Sequence, residues 1–146
     1  MIGKIYKELA AALQKVDGVR HVDLWNRNVE FLEEDTAFDM PAVFVEFGLV
    51  EWHETSGSVV TFTGRGIINL HIVSEWNGSA AVGSEDLDRM LSVFDLATEI
   101  QKVVSGINGS HWSRFRLQSS ATNHDHEDVI DNVEVYSFSI ERRLDQ

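Results

Sequence analysis

The sequence lacks cysteine entirely and contains only one proline among its 146 residues. The absence of cysteine excludes disulfide scaffolds, thiol catalysis and cysteine-built zinc sites. No apolar run approaches the roughly 20 residues that a membrane-spanning helix needs. Near the N-terminus, Lys4, Lys7 and Glu8 stand where an export signal would keep an unbroken apolar stretch. We therefore expect a protein of the cytoplasm with no membrane partner.

Basic residues are also scarce. Lysine and arginine together number 12 against 24 aspartates and glutamates, and the formal net charge is −12. Proteins that bind nucleic acid usually carry a positive stripe that neutralises phosphates. Here the only close basic groups are Arg114 with Arg116 and Arg142 with Arg143. This composition disfavours ordinary nucleic-acid binding and leaves DNA as a non-specific neighbour at most.

The strongest positive signal is a long alternating run over residues 59–73. At period two, one face of this run is apolar and includes two glycines: Val60, Phe62, Gly64, Gly66, Ile68, Leu70 and Ile72. The other face is mostly polar and carries Arg65, Asn69 and His71. Such a pattern predicts a strand with a core beneath it and water or a partner above it. The glycines indicate a bulge, a sharp bend or the close approach of another chain.

The remaining periodicities predict one domain, residues 1–146, with the element order α-β-β-β-α-β-β. The predicted helices span residues 2–16, stopped by Asp17–Gly18, and 84–104, capped by Ser84. The predicted strands are residues 22–25, 42–52, 59–73, 112–122 and 132–143. Residues 26–40 form an acidic connection, and residues 53–58 form a hairpin connection. We expect an α+β fold, a mainly antiparallel sheet with two helices packed on one face.

The last predicted strand changes its inward parity. Val133 and Val135 share one parity, whereas Tyr136, Phe138 and Ile140 share the other. Either a bulge near Val135–Tyr136 or a strand covered on both faces would explain this switch.

Few residues suggest chemistry. The segment His124-Asp125-His126 offers imidazole and carboxylate ligands suited to zinc, manganese or iron. It also lies where a connection between two strands is expected, and we favour an exposed acidic turn over a metal site. His71 stands on the polar face of the long strand, and we favour the interpretation that a neighbouring side chain satisfies it. We expect no catalytic residue and no cofactor.

The arrangement resembles a known family. The residues that carry the resemblance are a strand entry at Met40-Pro41-Ala42-Val43-Phe44-Val45-Glu46-Phe47, the strand Gly66–Val73, the helix segment Leu87–Leu96 and the closing segment Tyr136–Ile140. Together with the N-terminal helix they resemble the tail-terminator (tail-completion, minor tail) proteins of long-tailed bacteriophages and prophages. The resemblance implies a non-enzymatic structural protein of the virion tail, made in the cytoplasm of the bacterial host. It also implies a homo-oligomeric ring, typically a hexamer, that caps the tail tube and contacts the major tail tube protein and the head-completion protein.

A ring subunit needs edges and loops that pair with copies of itself. The hairpin and the last strand supply the candidate interface: Glu51, Trp52, His53, Arg65 and Tyr136. Two alternatives stay open. One is a small α+β metal-binding protein or enzyme that uses His124, Asp125 and His126 together with His71. The other is a monomeric or dimeric accessory module that binds a protein partner through its polar sheet face.

Overall fold

The computed structural model describes residues 2–26, 38–55, 61–124 and 128–144. It contains two helices, α1 (Ile2–Leu13) and α2 (Leu87–Val104). It also contains five strands: β1 (His21–Leu24), β2 (Ala42–Glu54), β3 (Thr61–Glu75), β4 (Arg116–Asn123) and β5 (Val129–Arg143). The predicted order is confirmed. Of the predicted hairpin connection, residues 53–58, His53 and Glu54 belong to β2, and residues 56–58 lie outside the described residues. Residues 27–37 of the predicted acidic connection also lie outside the described residues.

The five strands form one sheet with the order β1-β2-β3-β5-β4. Strand β1 runs parallel to β2, and every other neighbouring pair is antiparallel. Because both helices pack on the same face of this sheet, the α+β class is confirmed. We call the face beneath the helices the helix face and the opposite one the outer face.

Helix α1 buries Ile5, Leu9 and Leu13, whose spacing of four residues places them on one side of the helix. It ends earlier than its pattern predicts, and Gly18 then adopts a φ of 96°, the left-handed conformation that glycine accommodates at lowest cost. Helix α2 begins after Asp86, not at Ser84. The Ser84 hydroxyl accepts the Asp86 N–H at 3.2 Å and therefore caps the turn that precedes the helix.

The main core fills the space between the helices and the helix face. The even-numbered side chains of β3 that the alternation placed inward are buried there: Ile68, Leu70 and Ile72. Gly64 and Gly66 lie on the same face, where a Cβ at Gly64 would stand 2.9 Å from the Trp52 ring and one at Gly66 would stand 2.5 Å from the Phe138 ring. The glycines therefore leave room for aromatic rings from the two neighbouring strands.

A second, smaller core covers one end of the outer face. It contains Ala42, Phe44, Val73 and Val129, and three partly buried side chains pack against them: Trp25, Phe38 and Met40. The sheet is thus covered on both faces at this end. This coverage explains the mixed parity at the start of β5, where odd and even positions are both buried.

Most strand boundaries differ from the predicted ones by a few residues, and the larger differences concern β4 and β5. Strand β5 keeps one register against β3 along its whole length, and the irregularity lies in β4, between Leu117 and Ser119, beside Val135 and Tyr136. Strand β4 also starts at Arg116 instead of Trp112. The chain turns first, since the Gly109 N–H donates to the Trp112 carbonyl at 3.2 Å, and Trp112 makes only an isolated bridge to Ile140.

Candidate functional site

The sheet ends in two edges of different character. Strand β1 pairs with residues 42–45 of β2, and among the described residues no strand pairs with the same side of residues 46–54. Strand β4 forms the other edge, and its only strand partner in the described part of the chain is β5. Because edge strands offer N–H and C=O groups to another chain, both edges are candidate contact surfaces.

Each edge combines features that favour pairing with a further chain and features that restrict it. The exposed stretch of β4, residues 118–122, contains no charged residue and no proline. On the β2 edge, Leu49 is 69% exposed within the irregular stretch between Phe47 and Val50. Natural proteins commonly place lysine, proline or a covering element at such positions. The β4 stretch lacks lysine and proline, whereas the β2 edge carries Glu46, Glu51 and Glu54, and both edges contain an irregularity in their pairing. Both edges still offer backbone groups that have no strand partner among the described residues.

An open groove of about 760 Å³ crosses the outer face from β2, over β3 and β5, to residues 110–113. The strand register places Glu51 opposite Arg65 and Arg65 opposite Ser139. The next row brings His53 and Glu141 to either side of Thr63. Three of the five predicted interface residues, Glu51, His53 and Arg65, therefore line one polar groove.

Trp52 lies on the other side of the sheet. Its ring packs against the main core and over Gly64, and the Arg142 guanidinium stands 4.5 Å from the ring centroid. Trp52 is half-buried, so part of its surface remains available to a partner.

The placement of Tyr136 at a subunit interface requires correction. Its side chain is fully buried in the main core, because it lies opposite Ile68 on the helix face. Burial, and then the charge of Glu134, raises the pKa of Tyr136. A side chain in this position stabilises the subunit and does not reach another copy.

The His124-Asp125-His126 segment is only partly described. His124 packs against the edge of Trp76, with 6.4 Å between ring centroids, whereas Asp125 and His126 lie outside the described residues. Within residues 2–26, 38–55, 61–124 and 128–144, no three histidine, cysteine, aspartate or glutamate side chains are arranged to hold a metal ion. The metal hypothesis for this segment stays a prediction.

The most developed polar cluster lies on the outer face and centres on His71. His71 Nδ1 is 3.0 Å from Asp131 Oδ2, and His71 Nε2 is 3.1 Å from Glu46 Oε1. Asn69 donates to the same Glu46 oxygen at 2.7 Å. The Trp25 ring lies flat on the imidazole, with 3.7 Å between centroids and 4° between planes. The interpretation that neighbours satisfy His71 is confirmed.

Burial and charge act against each other in this cluster. Burial disfavours the charged form of His71, but hydrogen bonds and charge from Asp131 and Glu46 outweigh it and raise the His71 pKa. Burial likewise opposes ionisation of Glu46, and hydrogen bonds from Asn69 and His71 reverse that effect and lower its pKa. The alternation of polar residues in β3 pointed to His71, but no sequence signal identified its two carboxylate partners.

Comparisons with known proteins gave likenesses among solved structures only. No family model and no curated protein matches this chain. Among solved structures 35 chains match, and one of them comes from a structure entitled "Virion of native gene transfer agent (GTA) particle". That chain is 10% identical, the match covers 92% of this chain and 84% of that chain, and the TM-score is 0.46. A likeness this remote assigns neither a family nor a role. No described helix is long and apolar enough to cross a membrane.

Proposed function

We propose that this protein is a structural subunit of a phage-like virion that acts as a tail terminator. In this role, copies of the chain form a closed ring, with six subunits as the expected number. The ring caps the tail tube, contacts the major tail tube protein, and joins the tube to the head-completion protein. The proposal is supported by the sequence resemblance to tail terminators. It is also supported by the α-β-β-β-α-β-β order of the fold, which agrees with the order of elements in that resemblance.

The observation that carries the ring is the pair of edges on opposite sides of one sheet, each without a further strand partner among the described residues. Two different edges on one subunit favour head-to-tail pairing, in which the β4 edge of one copy meets the β2 edge of the next. Contacts of this heterologous kind close into rings when the rotation between subunits closes. Strand β4 has 8 residues. Residues 46–54 of β2, which pair with β3 on one side and with no described strand on the other, form a stretch of similar length.

Charge supports the same pairing. Arg114 and Arg116 stand exposed at the start of β4, whereas Glu51 and Glu54 stand exposed along the β2 edge. In a head-to-tail contact these opposite charges would approach one another, and complementary charge fixes the register and speeds association. Two β4 edges that paired antiparallel with each other would instead place the arginines of each copy beside the uncharged far end of the other strand.

The net charge fits the passage of DNA through such a ring. A subunit with a net charge of −12 gives an assembly that repels phosphates, so that DNA passes without specific binding. The proposal assigns the chain no catalytic residue, no cofactor and no metal.

The test compares two exposed apolar residues by light scattering coupled to gel filtration, over a range of protein and salt concentrations. Leu49 lies on the β2 edge and is 69% exposed, whereas Val82 lies in the loop before α2 and is fully exposed. We expect the wild-type chain and Val82→Lys to form one closed assembly of constant mass. Leu49→Lys should shift the monomer–ring transition to at least about tenfold higher concentration, since about 1.4 kcal/mol corresponds to a factor of ten. Equal assembly of the two variants would contradict edge pairing. A wild-type chain that stays monomeric and forms no ring even when mixed with tail tubes would favour the accessory module.

A further inference from the structure

We propose that Glu46, His71 and Asp131, together with the Trp25 ring that covers them, form a proton-dependent latch on the outer face. In the closed latch, protonated His71 holds Trp25 and the end of β1 against the sheet. In the open latch, neutral His71 holds them weakly and Trp25 leaves the imidazole. This inference does not depend on ring assembly.

The hydrogen-bond geometry requires the proton. Each ring nitrogen of His71 faces a carboxylate oxygen, Asp131 Oδ2 at 3.0 Å and Glu46 Oε1 at 3.1 Å. A neutral imidazole has a single N–H, so one of these contacts would then place a nitrogen lone pair against a carboxylate. An imidazolium donates to both. The observed arrangement is therefore that of the charged form, and loss of the proton removes one hydrogen bond and turns a nitrogen lone pair towards one of the carboxylates.

Trp25 is the part of the latch that moves. Its ring stacks on His71 at 3.7 Å, and tryptophan is the best aromatic partner for a cation. Its backbone N–H donates to the Val45 carbonyl at 2.9 Å, immediately past the last paired residue of β1. When His71 loses its charge, the cation–π attraction disappears along with the hydrogen bond. The other contacts of Trp25, with Phe44 and the second core, do not depend on this charge, and they hold the end of the four-residue strand β1 less firmly without it.

The charged side chains in contact with His71 are both negative. Strand β2 contributes Glu46 and β5 contributes Asp131, which is 4% exposed and whose second oxygen has no hydrogen-bond partner among the described residues. On β1, His21 and Asp23 lie 3.9 Å apart and pair with each other. The nearest charges that contact His71 are thus two carboxylates, which favour its protonated form.

The pH window follows from the directions of the two pKa shifts. The His71 pKa is raised above 6.5, so its contribution to stability is complete below that pH and is lost as pH rises through the raised value. The Glu46 pKa is lowered below 4.5, so its contribution is complete above that pH and is lost as pH falls through the lowered value. The latch is closed between these limits and opens on the alkaline side.

Nuclear magnetic resonance tests the latch on the full chain. The imidazole signals of His71 and the indole N–H signal of Trp25, assigned with His71→Gln and Trp25→Phe, are followed from about pH 5 to about pH 9, a range that spans the ordinary histidine pKa. We expect the His71 midpoint to lie above 6.5 and the Trp25 signal to shift with the same midpoint. A His71 midpoint at or below 6.5 would overturn the proposal, and so would a Trp25 signal that does not shift at the His71 midpoint.

A second pair of variants keeps the test decisive if His71→Gln does not fold. Glu46→Gln removes one carboxylate from the half-buried side of the cluster and should lower the midpoints of His71 and Trp25 together. Glu51→Gln, on the same strand but in the outer groove, is the matched control and should leave both midpoints unchanged. An unchanged His71 midpoint in Glu46→Gln would show that the contact with Glu46 does not stabilise protonated His71, and it would overturn the proposal.

Discussion

The close fit between Gly66 and Phe138 gives a sharp prediction for Gly66→Ala. The two residues are direct cross-strand partners, and an alanine Cβ would stand 2.5 Å from Phe138 Cζ. The ring has little room to retreat, since Phe138 is 4% exposed and packs edge-on against Phe115 with 5.3 Å between centroids. The added methyl must therefore displace packed side chains or the strand itself.

The magnitude follows from two opposing effects. Overpacking a filled core costs roughly 1–3 kcal/mol. The φ of Gly66 lies outside the left-handed region, so alanine can adopt it without strain. Alanine also lowers the conformational entropy of the unfolded chain, which stabilises the folded state by roughly 0.4–1 kcal/mol. We expect a net loss on the order of 1–2 kcal/mol in the free energy of unfolding. With a urea m-value of about 1–3 kcal/mol/M, the urea midpoint should fall by roughly 0.3–2 M.

The assay is urea unfolding of Gly66→Ala beside Gly3→Ala as a matched control. A Cβ at Gly3, in the first turn of α1, meets nothing within 4 Å, so that variant should be as stable as the wild type or slightly more stable. Combining Gly66→Ala with Phe138→Leu should cost less than the sum of the two single losses, by roughly 0.5–3 kcal/mol, because the smaller side chain makes room for the methyl. Equal midpoints for Gly66→Ala and Gly3→Ala would refute the packing argument.

Two further predictions concern buried and stacked side chains. The Tyr136 hydroxyl is buried without a hydrogen-bond partner among the described residues, so Tyr136→Phe should leave the free energy of unfolding unchanged or raise it by about 1 kcal/mol. A loss of more than about 1 kcal/mol in urea would show that the hydroxyl has a partner. Arg142 stands 4.5 Å from the Trp52 ring centroid, and Arg142→Ala should lower that free energy by roughly 0.5–1 kcal/mol, with Arg142→Lys keeping part of the contribution. Identical urea midpoints for wild type and Arg142→Ala would contradict the cation–π assignment.

Local periodicity predicted most of the fold. The two helices, the order of the seven elements and the inward parity of β3 follow from apolar spacing within short windows, and Ile68, Leu70 and Ile72 are buried as expected. The observed helix and strand boundaries differ from the predicted ones by a few residues where a turn precedes the element, as at Ser84 and Trp112. These shifts depend on single hydrogen bonds that a pattern does not specify.

The features that depend on distant partners were not predictable. His71 bonds to Glu46 and Asp131, which are 25 and 60 positions away along the chain, and only the register of three strands brings them together. Tyr136 was assigned to a surface because the mixed parity of β5 allows two orientations, and the pairing with β3 selects one. The second core also depends on the parallel pairing of β1 with β2, for which the sequence carries no local signal.

Disulfide trapping between edges tests head-to-tail assembly most directly. The chain has no cysteine, so Leu49→Cys combined with Ser119→Cys or Ala121→Cys introduces the only two thiols. Within one subunit two strands separate β2 from β4, a distance of roughly 14 Å, which is beyond the reach of a disulfide. Under mild oxidation we expect at least one double variant to give a ladder of covalent oligomers that stops at the closed ring, while each single variant stays uncrosslinked. No ladder in either double variant, or a dimer from Ser119→Cys or Ala121→Cys alone, would contradict the head-to-tail ring.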